Sequence, residues 1–124
     1  MSSRILIADD EPNIVISLEY LMKREGYEVL IARDGQEALD TILRERPQLV
    51  LLDVMMPNKT GFEVCQQVRA TESVKDTPIL MLTAKGRETD IAKGLGVGAT
   101  AYLSKPFSTK EIAQKVRELL GPGA

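Results

Sequence analysis

Four stretches of the sequence carry side chains that could bind a metal ion or a phosphoryl group. They are the acidic run 9–11, Asp53, Thr83 and Lys105, and each follows a short run of mainly apolar residues. Two carboxylates about 4 Å apart repel by about 4 kcal/mol at an effective dielectric of 20, so an acid cluster needs a compensating cation. Oxygen ligands without His or Cys select a hard divalent ion, and Mg²⁺ fits best.

The same residues indicate a type of chemistry. Lys105 would add a point charge and Thr83 a hydroxyl group beside the carboxylates. Phosphoryl transfer is catalysed mainly by positioning and by neutralising charge on oxygens, which is what a lysine, a hydroxyl and a metal around one aspartate can do. Asp53 is therefore the predicted nucleophile.

Composition excludes several other functions. The sequence has no His and a single Cys, Cys65, which excludes a zinc cage, an internal disulfide and a His-dependent catalytic triad. The Cys65 side chain is expected in the core. A net charge of −2 does not favour direct binding of nucleic acid. Residues 1–10 do not resemble a signal peptide or a membrane span, so we expect a cytoplasmic protein without a membrane partner.

The elements that position these residues follow from hydropathy. Five apolar runs, 5–8, 28–31, 49–52, 79–82 and 100–103, alternate with amphipathic stretches. Such apolar runs are typical of parallel strands that are covered on both faces, and the amphipathic stretches are typical of helices. This order predicts an α/β protein with a flavodoxin-like (βα)₅ fold, in three layers, with a parallel five-stranded sheet of order 2-1-3-4-5. With 124 residues, we expect one domain over 1–120 and a flexible tail or truncated linker over 121–124.

Local signals mark the helix ends. Pro12 suits a first helical turn, Gly26 a helix end and Pro47 the stop of the second helix, whereas Ser108 with Glu111 forms a predicted capping box. In such a sheet the strand ends that precede Asp9, Asp53, Thr83 and Lys105 share the carboxyl edge. The candidate residues are therefore expected to converge.

Together these motifs resemble the receiver domains of two-component response regulators, from Arg4 to about Leu120. The matching segments are Asp9-Asp10-Glu11, Asp53-Val54-Met55-Met56-Pro57 with Gly61, Thr83-Ala84, and Lys105-Pro106-Phe107. The resemblance implies a phosphoprotein of two-component signalling rather than an enzyme that turns over an external substrate. Its partner would be a sensor histidine kinase or a phosphotransfer protein.

The resemblance also implies the role of each site residue. Asp53 would accept the phosphoryl group, and Asp9 and Asp10, with Asp53 and the backbone carbonyl of Met55, would bind Mg²⁺, for which Mn²⁺ can substitute. Thr83 and Lys105 would hold the phosphoryl oxygens, and the Lys105-Pro106 peptide would be cis. The aromatic Tyr102 would act as a rotamer switch, and the fourth helix, fifth strand and fifth helix would present the changed surface to a target or output domain.

Alternatives remain at this point. An Mg²⁺-dependent phosphohydrolase also uses an aspartyl nucleophile, but usually carries an acid two residues later, where this chain has Met55. The glycine-rich segment 94–99 matches a dinucleotide fingerprint, but it is predicted to end a helix and precede a strand, which is the wrong order for such a site. Its glycines, like Lys85-Gly86, instead favour a mobile backbone between the fourth and fifth strands. Thr100 and Ala101 stand where dimerising winged-helix regulators carry acids, which weakens that class, and a stand-alone receiver or an excised one both remain open.

Overall fold

The structure, a computed structural model, describes residues 3–84 and 88–121. Within these residues it has five strands, β1 (Arg4–Ala8), β2 (Glu28–Ala32), β3 (Leu49–Asp53), β4 (Ile79–Ala84) and β5 (Ala101–Lys105). The helices that alternate with them are α1 (Pro12–Arg24), α2 (Gly35–Glu45), α3 (Gly61–Arg69), α4 (Glu88–Gly96) and α5 (Thr109–Leu120). No helix in these two ranges is long and apolar enough to cross a bilayer.

All strand pairs are parallel, and the strand order is β2-β1-β3-β4-β5. This confirms the predicted flavodoxin-like α/β fold. Alternate strand residues face opposite sides of the sheet, so Leu6 of β1 joins one core cluster with residues of α2 and α3. Its neighbour Ile7 joins a second cluster with residues of α1 and α5. The apolar runs are continuous because helices cover both faces of the sheet.

The helix ends form where the local signals predicted them. Pro12 is the first residue of α1, and Gly26 follows that helix with a φ of +95°, a conformation that glycine adopts without strain. The Ser108 hydroxyl accepts from the amide of Glu111, whose carboxylate accepts from the amide of Ser108, so the capping box of α5 is confirmed. Pro47 lies two residues after the end of α2.

Strands β4 and β5 each extend two residues past their predicted ends. The runs 79–82 and 100–103 end on apolar residues, but β4 continues to Ala84 and β5 to Lys105. The backbone pairs Thr83 with Ser104 and Ala84 with Lys105, and these pairs form whatever the side chains are. The prediction that Thr83 and Lys105 lie beyond their strands is therefore wrong, because it ended each strand where hydrophobicity ended.

The glycine-rich segment has the predicted order. Helix α4 ends at Gly96, and strand β5 begins at Ala101, the reverse of the strand-to-helix order that a dinucleotide site requires. Cys65 of α3 is fully buried, as predicted. The predicted mobile pair Lys85-Gly86 and residues 122–124 of the predicted 121–124 tail lie outside the described residues.

Candidate functional site

Asp53 is the last residue of β3, the central strand of the sheet. It is 6% exposed, and the next amide, that of Val54, donates to the carbonyl of Leu82 at 3.2 Å. Helix α3 begins close by: the amide of Gly61 donates to the carbonyl of Val54 at 2.8 Å. A Cβ at Gly61 would lie 2.4 Å from the Asp53 carbonyl oxygen, so only glycine allows this approach. The backbone around Asp53 is thus fixed on both sides.

Two acids follow the adjacent strand β1. Asp9 is fully buried, and one of its carboxylate oxygens accepts from the amide of Glu11 at 2.9 Å. Asp10 is exposed. A carboxylate oxygen from each of Asp9, Asp10 and Asp53 lies within 4.8 Å of the others. The predicted acid cluster is therefore assembled at the carboxyl edge, and its all-oxygen donors suit a hard cation such as Mg²⁺.

Lys105 reaches into this cluster from β5. Its Nζ donates to Asp9 at 2.9 Å, to Asp53 at 3.2 Å and to Glu11 at 3.2 Å. Burial by itself would lower the pKa of Lys105, but the hydrogen bond to Asp9 and the charges of Asp53 and Asp9 outweigh that effect and raise it above the ordinary value. Lys105 is a permanent cation at neutral pH.

Asp53, the candidate nucleophile, has a raised pKa. Burial, helped by the negative charges of Asp9 and Asp10, raises the pKa of Asp53 from 3.8 to about 6, although Lys105 opposes the shift. A carboxylate that is poorly solvated and crowded by like charge is destabilised in its ionised form. A cation in the cluster would therefore stabilise the ionised, nucleophilic form of Asp53.

The hydroxyl candidate lies near the end of β4, and the aromatic candidate lies earlier in the edge strand β5. Thr83 is 1% exposed, and its hydroxyl oxygen lies 3.5 Å from that of Ser104 on β5. Tyr102 lies on β5 with 42% of its surface exposed. The Lys105-Pro106 peptide is cis, which confirms that prediction. The side chain of Met55 is 62% exposed, so the position where a hydrolase would carry its second acid presents a thioether to solvent.

Two contacts of the site were not predicted from sequence. Glu11 lies in the acidic run and Ser104 in the polar end of the fifth strand, but the sequence pattern assigns neither of them a role. Both contacts join residues far apart in the chain, Lys105 to Glu11 and Thr83 to Ser104. The third acid of the run was the available signal for Glu11.

These features define an α/β protein with an acidic, lysine-containing pocket at the carboxyl edge of its sheet. Residues 5–117 match the response regulator receiver domain. The chain belongs to this family, whose members are phosphoacceptor signalling modules rather than classical enzymes. Asp9, Asp10, Asp53 and Lys105 form the pocket typical of its aspartyl-phosphate acceptor site.

Individual relatives agree with this assignment. The chain is 47% identical over 120 residues to the alkaline phosphatase synthesis transcriptional regulatory protein PhoP of Bacillus subtilis (strain 168), and this match covers 97% of the chain but 49% of the relative. The chain thus spans about half the length of this curated relative.

Two solved structures have nearly the same fold. The chemotaxis response regulator CheY4 of Vibrio cholerae matches with a TM-score of 0.90 and 35% identity, over 96% of this chain and 99% of that one. The receiver domain of the sensor histidine kinase PA1611 from Pseudomonas aeruginosa PAO1 matches with a TM-score of 0.90 and 29% identity, over 98% and 99% of the chains. In that relative a magnesium ion is coordinated in the active-site cleft.

Proposed function

We propose that Asp53 accepts a phosphoryl group from a sensor histidine kinase or a phosphotransfer protein in an Mg²⁺-dependent reaction, and that the α4–β5–α5 face then changes conformation. The observation that carries this proposal is the geometry around Asp53. Its buried carboxylate lies within the acid cluster and accepts a hydrogen bond from Lys105 at 3.2 Å. The family assignment supports the kinase as the donor class.

Four groups are proposed to hold the metal. The carboxylates of Asp9, Asp10 and Asp53 fit a hard cation by their oxygen chemistry and their mutual distances, and the magnesium of the Pseudomonas relative supports the choice of ion. The backbone carbonyl of Met55 is proposed as a further ligand. When bound, the metal neutralises charge on the phosphoryl oxygens.

The chain's own residues carry out the transfer. An oxygen of the ionised Asp53 carboxylate forms a bond to phosphorus as the bond between phosphorus and the leaving group breaks. The bonding pair leaves with the donor, a histidine nitrogen or, for a small donor, acetate. Lys105 holds one phosphoryl oxygen, and the Thr83 hydroxyl turns from Ser104 to another, which requires movement at the end of β4.

The switch is proposed to run from Thr83 to Tyr102. If the hydroxyl of Thr83 moves toward Asp53, the space beside β5 changes, and the exposed ring of Tyr102 can turn inward. The surface formed by α4, β5 and α5 would then differ between the two states and select a target or output domain. The name of the Bacillus relative supports a transcriptional output in a longer chain, and that of the Vibrio relative supports a receiver that acts alone.

The test is phosphorylation with acetyl phosphate and Mg²⁺, followed by mass spectrometry. We expect a gain of about 80 Da, the mass of one phosphoryl group, that disappears in Asp53→Asn. Asp76→Asn, an exposed aspartate in the loop after α3, is the matched control and should be labelled like the parent. Labelling of Asp53→Asn would refute the assignment, and sustained phosphate release without a labelled protein would instead indicate a phosphohydrolase.

A further inference from the structure

Lys105 donates hydrogen bonds to one carboxylate more than the two it contacts in the acid cluster. A lysine ammonium has three hydrogen-bond donors, and here all three point to carboxylates. Asp9 and Asp53 belong to the cluster that suits a cation, whereas the third acceptor, Glu11, does not. The Lys105–Glu11 contact therefore needs an explanation beyond metal binding.

The Glu11 side chain is also not used in the way its position would suggest. Glu11 is the N-cap residue of α1, but its side chain accepts no capping hydrogen bond from that helix. Its carboxylate instead extends to Nζ of Lys105 at 3.2 Å. The side chain of Glu11 is 60% exposed and that of Lys105 16% exposed, so Glu11 approaches the ammonium from the solvent side.

We propose that Glu11 is a positioning residue that holds Lys105 in the unphosphorylated protein and competes with the incoming phosphoryl oxygens for its ammonium group. This inference rests on the proposed function of Asp53. To bond a phosphoryl oxygen, Lys105 must release one of its three acceptors. Asp9 is fully buried, and without Lys105 its carboxylate would keep the amide of Glu11 but lose the donor to its other oxygen, at a large desolvation cost.

Glu11 is the most exposed of the three acceptors, so its carboxylate loses the least solvation while it is paired and regains water most readily. Its largely exposed carboxylate recovers water when the ammonium leaves, so the exchange is nearly balanced. An exposed ion pair of this kind changes an equilibrium by a factor of roughly two to five. The Glu11 contact thus acts as a weak, reversible restraint on Lys105.

The first experiment compares Glu11→Gln with the parent protein. We expect beryllofluoride, a phosphoryl analogue, to bind roughly two to five times more tightly to Glu11→Gln in the presence of Mg²⁺, because the competing carboxylate is gone. In the metal-free protein, the Nζ nuclear magnetic resonance signal of Lys105 should shift in the variant. Glu28→Gln is the matched control, since Glu28 begins β2 at the opposite end of the sheet and its change in net charge is the same.

A second experiment separates the contact from the charge. Glu11→Asp keeps the negative charge but shortens the side chain, so it should behave like Glu11→Gln if the contact matters and like the parent if only the charge matters. The rate of Asp53 labelling by acetyl phosphate should also rise in Glu11→Gln, but not when the same change is made in a Lys105→Met background.

The outcomes are decisive for Glu11. Equal analogue affinity in Glu11→Gln and the parent, or the same gain in labelling rate with and without Lys105, would overturn the proposal. A failure of the proposed function is distinguishable from this, because it shows as continued labelling of Asp53→Asn whatever residue stands at position 11.

Discussion

The central strand β3 and the edge strand β5 are packed in very different ways. All five residues of β3 are buried, and the strand pairs with β1 on one side and β4 on the other. Among the described strands β5 pairs only with β4, and none of its residues is fully buried. The carboxylate that must hold its place is on the most constrained strand, and the proposed response is on the least constrained one, where a change of shape disrupts fewer contacts.

The two helices of the proposed response face are anchored unequally. Helix α5 places Ile112, Ala113 and Val116 in the core, whereas Gly94 is the buried residue of α4. Two side-chain contacts connect the two strands' environments: Lys105 of β5 with Asp53 of β3, and Ser104 of β5 with Thr83 of β4. Chemistry on β3 and the proposed response on β5 can therefore be two strands apart and still be coupled through a few polar contacts.

The largest expected difference is in the cost of truncating the two strands. Leu51 of β3 is 0% exposed, so Leu51→Ala should lower the free energy of unfolding by about 2–5 kcal/mol. Leu103 of β5 is only partly buried, and Leu103→Ala should cost about 1–2 kcal/mol. Chemical denaturation of both variants measures this, and equal costs would contradict the contrast between centre and edge.

The second largest effect is expected in the pH dependence of stability that Asp53, at the end of β3, causes. Because the pKa of Asp53 is raised from 3.8 to about 6, the folded state binds its proton more tightly than the unfolded state does. In chelator, stability should therefore fall as pH rises from about 4 to about 6, by at most about 3 kcal/mol from this group.

Asp53→Asn should remove that pH dependence and leave the metal-free protein more stable than the parent at neutral pH. Denaturation at several pH values tests this, with the exposed Asp76→Asn as the control. If the stability of the parent instead rises between pH 4 and 6, and Asp53→Asn shows the same pH dependence as the parent, then the pKa of Asp53 is not raised.

A smaller effect is expected at the exposed member of the acid cluster. Asp10→Ala should lower Mg²⁺ affinity at least tenfold, about 1.4 kcal/mol, because a proposed carboxylate ligand is lost. The metal-free variant should be more stable than the metal-free parent, since a like charge near Asp53 is removed. Calorimetric titration and denaturation in chelator measure the two effects, and a less stable variant would count against mutual repulsion.

The smallest effect on stability is expected at the link between the two strands. Thr83→Ala should cost about 1 kcal/mol through its lost hydroxyl contact. In the parent, amide exchange with and without beryllofluoride should differ mainly over residues 83–107, and Thr83→Ala should suppress that difference. Changes confined to the neighbours of Asp53, or preserved in the variant, would show that the response does not pass through Thr83.

The helices, the strands and their order follow from local patterns in the sequence. Continuous apolar runs such as 49–52 identify strands buried on both faces, and the caps at Pro12, Gly26 and Ser108 depend on residues within one turn of each other. Alternation of strand and helix then implies a parallel sheet, and its carboxyl edge brings Asp9, Asp53 and Lys105 together.

The ends of β4 and β5, the raised pKa of Asp53 and the three partners of Lys105 depend instead on how the whole chain folds. Backbone pairing carries β4 and β5 past their last apolar residues, without regard to side-chain polarity. The pKa of Asp53 depends on burial and on charges contributed by other strands. The contact between Lys105 and Glu11 joins residues 94 positions apart, and such a contact has no local pattern because it depends on how the whole chain folds.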